Sequence, residues 1–210
     1  MKVRTAAMFP LGTVLFPHAL LSLHVFEPRY RAMTRDVLDG DQEFGVVLIE
    51  RGSEVGGGDV RFDVGTMAHI VQASELPDGR FALAVVGVQR FRVDRWLPDA
   101  PYPRAEIVEL AEPRVGADVA STVDAVAALL RDVHELNGRL QGVAAAAPPV
   151  RISPDPEQAS FEMAALAPLG PLDAQRLLEL PDTAARLRAL HEHLSDDLAV
   201  LRARTEPPDE

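Results

Sequence analysis

Cysteine is absent from this chain. Disulfides, a thiol nucleophile, cysteine-ligated zinc and iron–sulfur clusters are therefore excluded together. Lysine is nearly as scarce: 21 residues are basic, and all except Lys2 are arginine. A Ser-Lys protease dyad, a phosphate-binding P-loop or a Schiff base would each have only the second residue of the chain to draw on, so all three are excluded. No apolar run approaches the roughly 20 residues needed to cross a bilayer. The opening MKVRTAAMFP reaches Pro10 before a signal-type segment can form. The expected location is cytoplasmic.

Positive charge is also short. The 32 acidic residues outnumber the basic ones and the formal net charge is −11. Residues 1–110 hold 12 basic and 15 acidic groups, a net of −3, against 9 and 17, a net of −8, in residues 111–210. The carboxy-terminal half thus repels nucleic acid and anionic membranes instead of releasing their counterions.

What the chain does contain is apolar substance: 47% of its 210 residues are hydrophobic, enough to bury a core. The first half reads as β with one helix. Thr13 to Phe16 and Leu20 to Phe26 are strand candidates bounded by Pro17 and Pro28. Pro28 suits the first turn of a helix, which is expected to run to about Leu38 and end at Asp39-Gly40-Asp41. Phe44 to Glu50 is an apolar run of strand length, and Arg51 to Asp59 reads as a glycine loop. A strand around Gly65 to Val71 is expected to pair with Phe81 to Val86 through the Pro77-Asp78-Gly79 turn. Phe91 to Trp96 and Ala105 to Leu110 supply the last strands. Short strands separated by turn signals suggest a small, partly closed β-barrel.

From about Gly116 the pattern becomes helical. Val119 to Leu136 repeats its apolar residues at spacings of three and four, and Gly138 is expected to close that helix. A proline-dense loop, Val143 to Pro156, precedes a helix to about Leu166 and a short one over Asp173 to Leu180. Asp182 can cap a final helix striped by Leu187, Leu190, Leu194, Leu198 and Leu201. The expected class is α+β: a barrel subdomain over 1–112, a carboxy-terminal helical bundle over 116–205, and a disordered acidic tail over 206–210.

Catalytic constellations are missing. His191 and His193 lie two residues apart, so on a helix their rings diverge by about 200° and cannot share a metal. His18, His24, His69 and His134 are dispersed, with His24 and His69 expected to pack or bond locally within strands. No Gly-x-Ser-x-Gly elbow occurs. Gly56-Gly57-Gly58 runs into Asp59 and a strand instead of a helix amino terminus, so it reads as a hairpin loop and not as a phosphate cradle. No catalytic residue, metal ligand or cofactor is expected. Arg90, Arg92 and Arg95 beside Phe91 and Trp96 form the basic-aromatic mixture of the chain. Strand alternation puts Arg90 and Arg92 on one solvated face and Phe91 on the other, the alternative being an anionic contact site. The rings of Trp96-Leu97-Pro98 and Pro101-Tyr102-Pro103 are expected to pack under the helices, the alternative being an exposed peptide-binding patch.

Several motifs, in order, resemble a known family. FPLGTVLFPHALLSLHVFEPRYRAM, FGVVLIERGSEVG, the strand Val64 to Ile70 and the hairpin LPDGRFALAVVGVQRFRV are similar to the LON substrate-binding domain, the amino-terminal recognition module of Lon-type ATP-dependent proteases. Gln175 to Glu179, Asp182 and Arg186-Leu187 resemble its closing helices. The resemblance implies a PUA-like barrel followed by a helical bundle that captures unfolded or tagged polypeptide. Here it is expected to stand alone, without the ATPase and peptidase domains, as a non-catalytic adaptor, with a separate protease or ATPase as a candidate partner. The groove between barrel and bundle is the expected binding site. Candidate contacts are Phe16, Pro17, His24, Phe26, Arg29, Tyr30, Arg90, Arg92 and Trp96, each of whose rings or guanidinium groups suits such a surface. The alternatives are an RNA- or nucleotide-binding PUA-like module, which the net charge opposes, and a small-molecule-binding protein or enzyme, for which no motif is present.

Overall fold

The computed structural model describes residues 3–52, 60–114, 119–142 and 152–205. The triple glycine with Asp59, most of the proline-dense loop and the acidic tail lie outside them. The described residues form a mixed α/β structure of six strands and five helices: β1 (Val3–Leu11), β2 (Leu20–Val25), α1 (Pro28–Leu38), β3 (Glu43–Arg51), β4 (Val60–Glu75), β5 (Phe81–Leu97), β6 (Arg104–Glu109), α2 (Ala120–Leu140), α3 (Pro156–Leu166), α4 (Pro171–Glu179) and α5 (Thr183–Thr205). They divide into two compact units, one of Met1–Ala111 with Gly170–Glu179, the other of Glu112–Leu169 with Leu180–Glu210.

The first unit is a single sheet in the order β2-β5-β4-β3-β1-β6, with a further pairing of β5 to β6. Five strands therefore close a hydrogen-bonded circuit and β2 hangs outside it, so the arrangement is not a clean barrel. The 17-residue β5 makes this possible by pairing with β2 and β4 through its first half and with β6 through its second. Sequence reading divides β5 into two strands, Phe81 to Val86 and Phe91 to Trp96. Register shifts near Val88 and Asp94 let one strand change partners without breaking.

At the amino terminus the structure corrects the expectation. Thr13 to Phe16 is not a strand, whereas Val3–Leu11 is one. Ala6, Ala7 and Pro10 are poor strand formers. Partners on both sides override that weakness: β6 runs antiparallel along Val3 to Ala7, and β3 runs parallel along Met8 to Leu11. Leu15 and Phe16 are buried as loop side chains. Helix α1 starts at Pro28, as its missing N–H allows, and buries Tyr30, Met33, Thr34 and Val37. Two cores result, one joining Tyr30 and Met33 to Phe9, Phe44 and Phe81, the other joining Met8, Met67, Phe91 and Ile107.

Gly87 ties the turn before β2 to the middle of β5. Its N–H donates to the Ala19 carbonyl at 2.9 Å and its carbonyl accepts the His18 N–H at 2.7 Å. A Cβ here would collide with the Phe16 carbonyl oxygen, a backbone atom that cannot step aside. Helix α4 also belongs to this unit, whereas sequence reading groups it with the helices. The Gln175 amide donates to the Val64 carbonyl at 3.0 Å, and Arg90 donates to the Leu178 carbonyl at 2.6 Å.

The second unit packs α2 with α3 and α5, and α3 with α5. Val126, Leu130 and Val133 of α2, Phe161 and Met163 of α3, and Leu187, Leu190, Leu194 and Leu198 of α5 are buried, the last four as the leucine stripe anticipates. Gly138 does not end α2, which continues to Leu140. Asp155 and Asp182 accept N–H groups of the first turns they precede, from Gln158 at 2.9 Å and Ala185 at 2.8 Å. Arg186 is 0% exposed. Its guanidinium stacks on Phe161 at 3.6 Å, donates to Ser160 Oγ at 2.9 Å and pairs with Glu112 at 3.1 Å.

Two stability outcomes follow. Gly87→Ala is expected to lose about 2 kcal/mol or more in urea unfolding, whereas Gly170→Ala, whose new Cβ meets only Asp173 at 3.8 Å, stays near the parent. Arg186→Ala is expected to cost about 3–5 kcal/mol because it leaves the Glu112 carboxylate without its buried counter-charge. Combining Arg186→Met with Glu112→Gln is expected to recover part of that loss, and a double-mutant cycle measures how much.

Candidate functional site

Residues in register share a face of the sheet, and this places one exposed surface on the first unit. Leu20 lies opposite Val86, which lies opposite His69; Ser22, Ala84 and Gln72 form the next row, and His24, Ala82 and Ser74 the third. Period-two alternation adds Phe26 to the Leu20, Ser22, His24 line. Leu20 is 75% and Phe26 53% exposed, and Val71 is exposed as well. Two large apolar side chains thus stand at the ends of a floor made of Ala82, Ala84 and Val86. The face is mixed, its apolar side chains offering contact area between the polar ones of Ser22, His24, His69, Gln72 and Ser74.

Three ion pairs lie in the segments that adjoin it. Arg29 pairs with Glu27 at 3.1 Å and stacks over Tyr30 at 4.5 Å. Arg35 meets Glu75 at 2.7 Å, and Arg80 meets Asp78 at 2.6 Å. The Arg80 backbone N–H, aided by its guanidinium, holds the Asp78 carboxyl below its ordinary value.

Of the residues anticipated from sequence, His24 and Phe26 stand on this face, and Arg29 flanks it, half-buried. Phe16, Pro17 and Tyr30 are buried and pack inside the unit. Arg90 corrects the expectation of a solvated Arg90–Arg92 face. Arg92 is exposed, but Arg90 is only 3% exposed, because α4 covers that end of β5 and takes the guanidinium on the Leu178 carbonyl. Trp96 is half-buried against the core that holds Phe91, with the Arg61 guanidinium 4.6 Å from its ring. Tyr102 packs on the sheet's other core and donates to the Asp36 carboxylate at 2.9 Å. Burial pushes its phenol up, and the Asp36 carboxylate adds to the shift. Both rings of the Trp96–Tyr102 connection thus rest on cores of the first unit, Tyr102 with a bond to α1 as well.

Leu20 was missed. Its signal was present: it begins the line that Phe26 ends, but a leucine in a strand reads as core until pairing shows which face it occupies. His24, expected to pack or bond locally, is exposed. His134 contacts the Leu166 carbonyl at 2.9 Å, and His193 lies 3.4 Å from Asp197 within one helix face. Among the described residues no group of three or more His, Asp or Glu side chains could hold a metal ion. No described helix is long and apolar enough to cross a membrane.

The split between anchoring and exposed residues has a measurable consequence. Arg90→Ala is expected to cost about 1–3 kcal/mol through the lost bond to Leu178 and to speed amide exchange in α4. Arg92→Ala, at an exposed position, is expected to shift stability by less than about 0.5 kcal/mol.

Comparison with known proteins gives this surface its context. Residues 5–196 match the family model described as the ATP-dependent protease La (LON) substrate-binding domain. The chain is 31% identical over 204 residues to Lon protease 2 of Herpetosiphon aurantiacus and 30% identical over 195 residues to Lon protease 2 of Myxococcus xanthus. Each alignment covers 91% of this chain and 23% of the relative, so the chain spans about a quarter of the length of the proteases it matches. A solved Lon N-terminal domain protein from Xanthomonas campestris superposes with a TM-score of 0.63 at 27% identity, covering 89% of this chain and 96% of that one. The N-terminal domain of the Mycobacterium avium complex Lon protease shares the fold, with a TM-score of 0.67 at 18% identity over 92% and 99% of the two chains. Matched along nearly its whole length by the family model and by both solved amino-terminal domains, the chain belongs to the LON substrate-binding domain family.

Proposed function

We propose that this chain is a non-catalytic recognition or adaptor protein that binds unfolded or tagged polypeptide. The observation that carries the reading is the family match over residues 5–196, to a domain whose description is substrate binding. Its residue content agrees: without cysteine, with one lysine at position 2 and with no serine elbow, the chain has little from which to build a nucleophile. The exposed Leu20 and Phe26, set on a floor of small side chains, supply contact area of the kind a peptide uses. His24, Phe26, Arg29, Arg92 and Trp96 are the anticipated contacts that retain exposure, and Leu20 joins them.

The reading includes a PUA-like description of the first unit, supported by the five-strand circuit β5-β4-β3-β1-β6. It extends to a cytoplasmic location and to collaboration with a separate protease or ATPase, the activity that the names of the relatives carry. Nucleic acid is not among the proposed partners, because a net charge of −11 works against phosphate binding.

The test is saturable binding of fluorescently labelled α-lactalbumin, reduced and carbamidomethylated so that it cannot fold, followed by anisotropy. That probe is itself acidic, so attraction between opposite charges cannot account for its capture. Phe26→Ser is expected to weaken binding about three- to tenfold without loss of stability, since the ring is exposed in the folded state. Absence of binding, or equal capture of the native folded probe, overturns the proposal. Low-salt titration with single-stranded RNA is expected to show no saturable complex.

A further inference from the structure

Strand β2 is paired on one side along its whole length, whereas each other strand has partners on both sides over at least part of its own. The Ala19 carbonyl faces β5, where it accepts the Gly87 N–H. The pairing from Leu20 to Val25 then proceeds without a register shift. Backbone groups alternate in direction along an antiparallel strand, so Leu21, Leu23 and Val25 turn theirs to β5, while Leu20, Ser22 and His24 turn theirs to the open side. Among the described residues nothing receives those N–H and C=O groups.

Soluble proteins ordinarily guard such an edge with a charged side chain, a proline or a bulge. Strand β2, Leu-Leu-Ser-Leu-His-Val, has none of these; Pro17 and Pro28 stand outside it and the pairing is regular. The edge is also exposed, with Leu20 and Phe26 at its two ends. Resting on the polypeptide-binding reading above, we infer that the free edge of β2 takes up one extended segment of a client chain as an added strand. Main-chain hydrogen bonds hold the segment, and its alternate side chains lie beside Leu20, Ser22 and His24.

Charge defines the segment. No carboxylate or guanidinium lies in β2, and in the adjoining segments Arg29–Glu27, Arg35–Glu75 and Arg80–Asp78 are engaged with each other, while the Arg31 guanidinium packs on Gly79. The complement of a neutral edge is a neutral apolar stretch of about six residues, the length of β2. A second copy of this chain fits less well, because each copy brings a net charge of −11 to the contact.

The experiment uses the full chain and the same unfolded α-lactalbumin probe at physiological salt. Ser22→Pro removes one outward N–H at a position where an edge strand tolerates proline, and Ser22→Lys installs a charged guard without touching the backbone. Both are expected to raise Kd about tenfold, whereas Val200→Lys, at an exposed apolar site on α5, leaves it unchanged. In the native chain the probe is expected to slow exchange of the Ser22 and His24 amides.

Probe binding that survives both substitutions, with those amides exchanging at the same rate, overturns the edge mode and leaves the general reading standing. A native chain that binds no probe defeats both. Sedimentation showing a native dimer that Ser22→Pro dissociates assigns the edge to a second copy and overturns the client.

Discussion

The main-chain pairing of one strand governs the arrangement of the first unit. A buried N–H or C=O without a partner costs about as much as a lost hydrogen bond. Strand β5 meets that requirement over 17 residues by serving three neighbours, β2 and β4 along one half and β4 and β6 along the other. Its two register shifts allow the exchange of partners. Gly87, with no side chain to obstruct the Phe16 carbonyl, lets the turn before β2 close onto the strand. The placement of β2 outside the circuit, and with it the exposed line from Leu20 to Phe26, descends from that single strand.

The bias toward arginine has a structural use in both units. In the first, Arg90 crosses from β5 to the end of α4 and fastens a helix that is remote in sequence. In the second, Arg186 satisfies a hydroxyl and a carboxylate while lying flat on an aromatic ring. A planar guanidinium with several fixed donors suits such enclosed positions, where an ammonium would be a strongly hydrated point charge. The basic residues expected on one solvated face thus divide into anchors, such as Arg90, and solvated groups, such as Arg92.

Chemistry and surface point the same way. Without cysteine, and with lysine only at position 2, the chain has no thiol nucleophile and a single side-chain amine. It has ample means of contact: a smooth sheet face, two protruding apolar side chains and one strand edge. In the proposed reading that surface is where a client is held, and its ion pairs fit a neutral occupant.

Sequence alone determined the elements whose signals are local. Pro28 set the start of α1, the Pro77-Asp78-Gly79 turn set the β4–β5 hairpin, and leucine periodicity marked α5. Ordered motifs over most of the chain were enough to indicate the family. Strand β1 was illegible because Ala6, Ala7 and Pro10 have little strand preference and depend on β3 and β6 for their pairing. The membership of α4 was equally hidden, since it rests on the bond from Gln175 to the Val64 carbonyl and the bond from Arg90 to the Leu178 carbonyl, each joining residues more than eighty apart in the chain. For the site, alternation identified which side chains share a face. Only tertiary pairing decided which face meets water, because burial is set by what packs across a strand and not by the strand itself. Phe26 and Leu20 therefore ended outside, while Phe16 and Tyr30, no different in composition, were taken into the core.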